Sequence, residues 1–213
     1  MKRIMSSPWK IVVVVATASL LSCSIPGGSP KTPKQFYTLQ SAGVQSLAAT
    51  TAKPCYSLRI EMPAAAPGLN TSRMAYSRES HRLEYFAYHE WVSPPPRMIA
   101  AAMEKELQAS GLFTVVLTGS PDVSTDWRLD SSLQTLQQDF SSGESSVQLA
   151  IRINLVDLSD RVLMDSKTFS YDESAEGQDA EAGVAAANRA VRQFLQELTA
   201  FLDESIRKTS CPD

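Results

Sequence analysis

The sequence predicts an α+β or α/β fold: a single domain whose mostly antiparallel sheet is covered on one face by two amphipathic helices. Three patterns carry that expectation. Residues 147–155 alternate, with Val147, Leu149, Ile151, Ile153 and Leu155 on one side and Gln148, Arg152 and Asn154 on the other, the period of a half-buried strand. Ile99, Met103 and Leu107 recur every fourth residue behind Pro94. Val184, Ala187, Val191, Leu195, Leu198, Leu202 and Ile206 form a longer stripe of helical period. The order strands, helix, strands, helix suits a layered sandwich with its helices on one face of the sheet.

The elements follow in chain order. Residues 36–39 (Phe-Tyr-Thr-Leu) are the first strand-like run, and the small, polar stretch 41–54 reads as loop. Residues 55–62 alternate as a strand and are closed by Pro63 and the Pro67-Gly68 pair. The aromatic-rich runs 74–78 and 83–92 flank a turn at 79–82 and predict a hairpin. A helix comes next: Ser93 can cap it, and Pro94 fits its first position, where no N–H donor is needed. Gly111 ends it with a left-handed cap, and Leu112 folds back on the last turn. Residues 112–117 read as a short buried strand, stopped by Gly119-Ser120-Pro121. A three-strand meander follows at 127–140, 147–156 and 162–171, in a sheet with one wet face. The second helix runs from about 179 to 208, with acidic residues at its start and Arg207 and Lys208 at its end, as the helix dipole favours.

The first residues address the chain to a compartment. Lys2, Arg3 and Lys10 precede the uncharged run 11–21, which is shorter than the roughly 20 apolar residues of a membrane-spanning helix. Leu20-Leu21-Ser22-Cys23 resembles the bacterial lipobox, with a small residue before the cysteine whose thiol accepts diacylglycerol. The expected organisation is a lipoprotein signal peptide at 1–22, a lipidated Pro/Gly/Ser-rich tether at 23–34, and the folded domain at 35–213. Ser24, where an aspartate would favour retention in the inner membrane, points to the outer membrane. The covalent lipid on Cys23 is the only non-protein group the sequence calls for.

Without residues 1–22 the chain keeps 17 basic and 23 acidic residues, a net charge of −6. That excludes the basic footprint of a nucleic-acid binder. With Cys23 assigned to lipid, Cys55 and Cys211 remain in an oxidising compartment, where two thiols pair, so a Cys55–Cys211 disulfide is expected.

The residue types of catalysis are sparse. His81 and His89 lie eight apart in the hairpin, without a cysteine or carboxylate at ligand spacing, so no metal site is expected. Asp157, Asp160 and Asp165 bracket a turn, where aspartate serves local hydrogen bonding. No nucleophile elbow or phosphate loop occurs. Tyr76, Tyr85, Phe86, Tyr88 and Trp91 form the one aromatic concentration. Strands favour such residues in cores, while Tyr76, Tyr85, Tyr88 and Trp91 are also the candidate partner-binding residues, because tyrosine and tryptophan concentrate at binding hot spots.

Several segments in order resemble the ABC-type transport auxiliary lipoproteins of the PqiC/YmbA kind. These are the lipobox at Cys23, Phe36-Tyr-Thr-Leu39, Ile60-Glu-Met-Pro63, Met74-Ala-Tyr-Ser-Arg78, Leu83-Glu-Tyr-Phe86, Trp91-Val-Ser-Pro-Pro95 and Leu107-Gln-Ala-Ser-Gly-Leu-Phe113. The resemblance implies a non-enzymatic subunit of an envelope lipid-transport system, seated at the outer membrane. Its implied partners are a periplasmic MCE-domain (mammalian cell entry) protein and, through it, an inner-membrane ABC permease and ATPase. Contact with outer-membrane lipid and assembly with its own copies belong to the same expectation. The alternative is a lipid carrier with an acyl cavity between sheet and helix.

Overall fold

The computed structural model describes residues 32–40, 54–119, 122–209 and 211. Cys23, the leader, most of the tether and nearly all of the 41–54 loop lie outside the described residues. The compact unit is Pro33–Asp213. Its first half contains strands β1 (Gln35–Tyr37), β2 (Ser57–Ile60), β3 (Ala64–Ala65), β4 (Arg73–Ser77) and β5 (Glu84–Trp91), then helix α1 (Pro95–Ser110). Its second half contains β6 (Val115–Thr118), β7 (Trp127–Asp139), β8 (Ser146–Asp157), β9 (Val162–Ser174) and helix α2 (Ala180–Arg207).

Strand β7 is the spine of the sheet. Its whole length pairs antiparallel with β8, and β8 pairs antiparallel with β9. Its other edge is shared in succession by three short parallel strands: β2 at Leu58↔Trp127, β3 at Ala64↔Ser132 and β4 at Tyr76↔Gln138. Pro63 separates β2 from β3 because it has no N–H for the ladder, while Glu61 N and Ala66 N on either side still donate to Leu129 O and Leu133 O. β6 pairs parallel outside β2, β5 pairs antiparallel outside β4, and β1 pairs parallel with β5. The sheet is therefore mixed, with its long ladders antiparallel. The parallel pair β2–β6 needs a crossover, which α1 supplies.

One sheet face is dry. Trp127, Leu129 and Leu133 of β7, the alternating Val147 to Leu155 set of β8 and Phe169 of β9 are all nearly inaccessible. α2 packs on β8 and β9 and touches α1, so both helices cover this face. Phe194 of α2 meets Phe169 edge-on, with ring centroids 5.4 Å apart. Burying a side chain of that size is worth about 1.5–3 kcal/mol.

The helix ends follow their local chemistry, with one change from the expectation. Asp179 caps α2, accepting a 2.8 Å bond from Ala182 N. Gly111 (φ 67) closes α1 in the left-handed region, as its lack of Cβ permits. At the start of α1, however, Pro94 is the cap residue with extended geometry (ψ 135), Pro95 begins the helix, and no side chain caps it. Pro94 is itself followed by proline, whose ring disfavours helical ψ in the residue before it, so the helix starts one residue later and Ser93 lies too far back. The strand expected from residue 112 likewise begins only at Val115, although Leu112 and Phe113 are buried. Phe113 packs edge-on against Trp127, 6.0 Å between centroids.

Candidate functional site

The aromatic hairpin divides between core and surface. Tyr76 is half-buried against Phe86 (centroids 4.7 Å) and Phe140 (6.0 Å), and its hydroxyl donates to Glu84 Oε2 at 3.0 Å. Burial first, and then that carboxylate, raises its pKa. Tyr85 donates to Gly68 O at 3.1 Å, and the Arg73 guanidinium lies 3.8 Å from its ring centroid. Trp91 is a core residue, 5% exposed. Its place in the partner-binding set is corrected accordingly, because the indole belongs to the buried core cluster. Of the four candidates, Tyr88 is the one that faces solvent, at 47% exposure.

A bulge puts it there. Arg73 pairs with Glu90 but Ala75 already pairs with Tyr85, so a much longer stretch of β5 opposes two steps of β4 and bows outward. β1 then adds to the outer edge of β5 with Phe36 opposite Glu90. The two-residue period sets Tyr88 on the side of Glu90 and Phe36, while Tyr37, His89 and Trp91 take the other. Phe36 is 60% exposed and Val92, just past the strand, 58%. Sequence reasoning missed Phe36 and Val92. The signal was in the first run, where Tyr37 and Leu39 share a parity that leaves Phe36 opposite, and Leu39 is buried.

The two histidines do not converge. His81 sits in the β4–β5 turn with φ 68, whereas His89 stacks on Tyr37 with its Nδ1 3.0 Å from the phenol oxygen. Burial, and then Glu181 at the start of α2, raises the Tyr37 pKa. Among the described residues no group of three His, Cys, Asp or Glu is placed to hold a metal. Asp157 accepts from Ser159 N (2.7 Å) and Asp160 N (3.1 Å) in the β8–β9 turn. Asp165 instead lies on β9 and accepts from Ser205 of α2 at 3.2 Å. The open hollow around Ser57, Arg59 and Asp126 is polar, and Ser57 N and Oγ already occupy the Asp126 carboxylate at 2.7 and 2.6 Å.

Cys55 and Cys211 form a disulfide with Cα atoms 5.9 Å apart, tying the approach to β2 to the residues after α2. Between sheet and α2, the cavity lined by Met74, Phe86, Trp91, Leu136 and Gly183 measures about 20 Å³. That is room for on the order of one water. No helix among the described residues is long and apolar enough to cross a membrane.

Solved structures share this arrangement. Protein XCC0632 from Xanthomonas campestris superposes with a TM-score of 0.71 at 19% identity, covering 82% of this chain and 98% of its own. An uncharacterized protein gives 0.63 at 14% identity, covering 80% of this chain and 99% of its own. These likenesses establish the fold. No curated protein matches the chain. The model of the ABC-type transport auxiliary lipoprotein component matches residues 37–199, from the first strand into the last helix, and the chain belongs to that family.

Proposed function

We propose that this protein is anchored through acylated Cys23 at the periplasmic face of the outer membrane. There it acts as the docking subunit of an MCE-type ABC lipid-transport system, contacting the MCE protein and through it the permease and ATPase. The family match over residues 37–199 carries this reading.

The surface supports a docking role. Among the described strands β9 pairs only with β8, so no described strand covers the outer edge of this 13-residue strand. Val162 and Leu163 at its start are 51% and 59% exposed. A long open edge of this kind accepts an added strand, from a partner or from another copy of the chain. Among the described residues the cavity between sheet and α2 is too small for an acyl chain, which supports docking over carriage there. Crosslinking intact envelopes and isolating the protein should recover the MCE partner, and Cys23→Ala should abolish that recovery. Failure to recover any MCE protein from wild-type envelopes would reject the reading.

A further inference from the structure

We infer that Phe36, Tyr88 and Val92 form a foot that rests in the headgroup region of the bilayer to which the chain is tethered, and so orients the domain. The inference rests on the reading that Cys23 carries the lipid. It commits to a phospholipid surface as the occupant of this patch.

Three features meet at this corner. The exposed apolar groups surround one edge position, that of the ion-paired Glu90: Phe36 stands opposite it, Tyr88 is two residues before it, and Val92 two after. Isolated exposed apolar residues need no explanation, but three grouped around one edge position, one of them on the bulged stretch of β5, do. The residues are also suited to an interface, since tyrosine places an apolar ring and a polar tip at headgroup depth. Lys34 stands beside the cluster, paired with Glu90, so the corner carries little net charge to repel lipid.

The third feature is chain length. Lys34 is 11 residues from Cys23. Whatever conformation the intervening residues take, they span at most about 40 Å. β1 is therefore the element at which the tether enters the domain, and a patch on it is held within reach of the bilayer at high effective concentration. The opposite sheet edge, β9, lies beyond β5, β4, β7 and β8. At about 4.8 Å per strand that is some 24 Å away, facing the periplasm when the foot is down.

The test uses the full acylated chain, reconstituted in phosphatidylethanolamine–phosphatidylglycerol vesicles with or without bromine on the acyl chains. Phe36→Trp places a reporter in the foot, and Val162→Trp places one at the far edge. Native Trp91 and Trp127 are buried and supply a background to subtract. Flotation reads the anchor, and quenching reads the foot. The expected result is that both variants float, with Phe36→Trp emission shifted to the blue and quenched roughly twofold or more by brominated lipid, and Val162→Trp unquenched. Adding Tyr88→Asp and Val92→Asp should return the Phe36→Trp emission to the unquenched level. If the indole remains quenched, it inserts by itself and the foot is rejected. Flotation without quenching at residue 36 also rejects the foot while leaving the anchor reading intact. A blue shift that grows with protein density but ignores bromine means that a second copy covers the patch, which rejects it too. A chain that fails to float rejects the anchor, and the foot with it.

Discussion

Gln138 of the sheet and Gly183 of α2 lie in close approach: a Cβ added at Gly183 would lie 2.1 Å from Gln138 Oε1 and 2.5 Å from its amide carbon. The glutamine cannot easily move. Its side chain is 3% exposed, and its Nε2 donates to Ser145 Oγ at 2.7 Å and Asp179 O at 3.0 Å. It thereby links the β7–β8 turn to the cap of α2.

Gly183→Ala should therefore destabilise the fold, although glycine to alanine within a helix ordinarily gains about 1 kcal/mol. Overpacking at this point should reverse the sign and cost about 1–3 kcal/mol. Urea unfolding of the single variant, and of Gly183→Ala with Gln138→Ala, checks it. The second change removes the obstructing amide and should recover part of the loss. A stabilised Gly183→Ala protein would show that the contact is not tight.

The disulfide should contribute on the order of 4–5 kcal/mol by the chain-entropy model, because it closes a loop with a sequence separation of 156. Cys55→Ser and Cys211→Ser should lower the melting temperature equally, and reductant should bring the native protein to the same value. Unequal variants would mean that one cysteine matters for packing rather than for the bond.

How legible these features were in the sequence depended on whether the cause was local. Residues 147–155 and the α2 stripe announced themselves because one periodic face must be buried, and Gly111 because only a left-handed cap suits it there. The parallel strands along β7 were illegible: β2, β3 and β4 are short, and their direction is set by a crossover far along the chain. The candidate surface was half legible. Composition pointed to the hairpin, but whether Trp91 or Tyr88 faces out depends on the β5 bulge and on β1 pairing, both of which are non-local. The α2 stripe also hid a detail: its first turns bury Ala180, Gly183, Ala186 and Ala187, small residues that let the helix sit close.

Alkaline pH should unfold the protein progressively. Burial raises the pKa of Tyr37, Tyr56, Tyr76 and Tyr171, most of all Tyr171, where Glu197 adds to the effect. Below about pH 10 both folded and unfolded chains keep these protons, and this contribution to stability is fully present. Above it the unfolded chain loses them first, so stability falls as pH rises toward the folded-state values. Urea midpoints measured between pH 8 and 11.5 should decline at the upper end, and Tyr171→Phe should make that decline shallower. A decline of unchanged slope in Tyr171→Phe would place the alkaline sensitivity elsewhere.

Trp91 and Tyr88, three residues apart on one strand, should separate stability from surface function. Trp91 is 5% exposed and lies in the core beside Tyr37 of β1, its register partner. Trp91→Ala leaves a large cavity and should cost about 3–5 kcal/mol, a sizeable share of the stability of a typical domain. Tyr88 has no hydrogen bond among those described and is 47% exposed, so Tyr88→Ala should change stability by less than about 0.5 kcal/mol. Urea unfolding gives both values. If Tyr88→Ala proves as costly as Trp91→Ala, the bulge is held by that ring and Tyr88 is structural. If it is neutral, envelope phenotypes of Tyr88 variants report on what the exposed corner touches, whereas those of Trp91 variants report on folding.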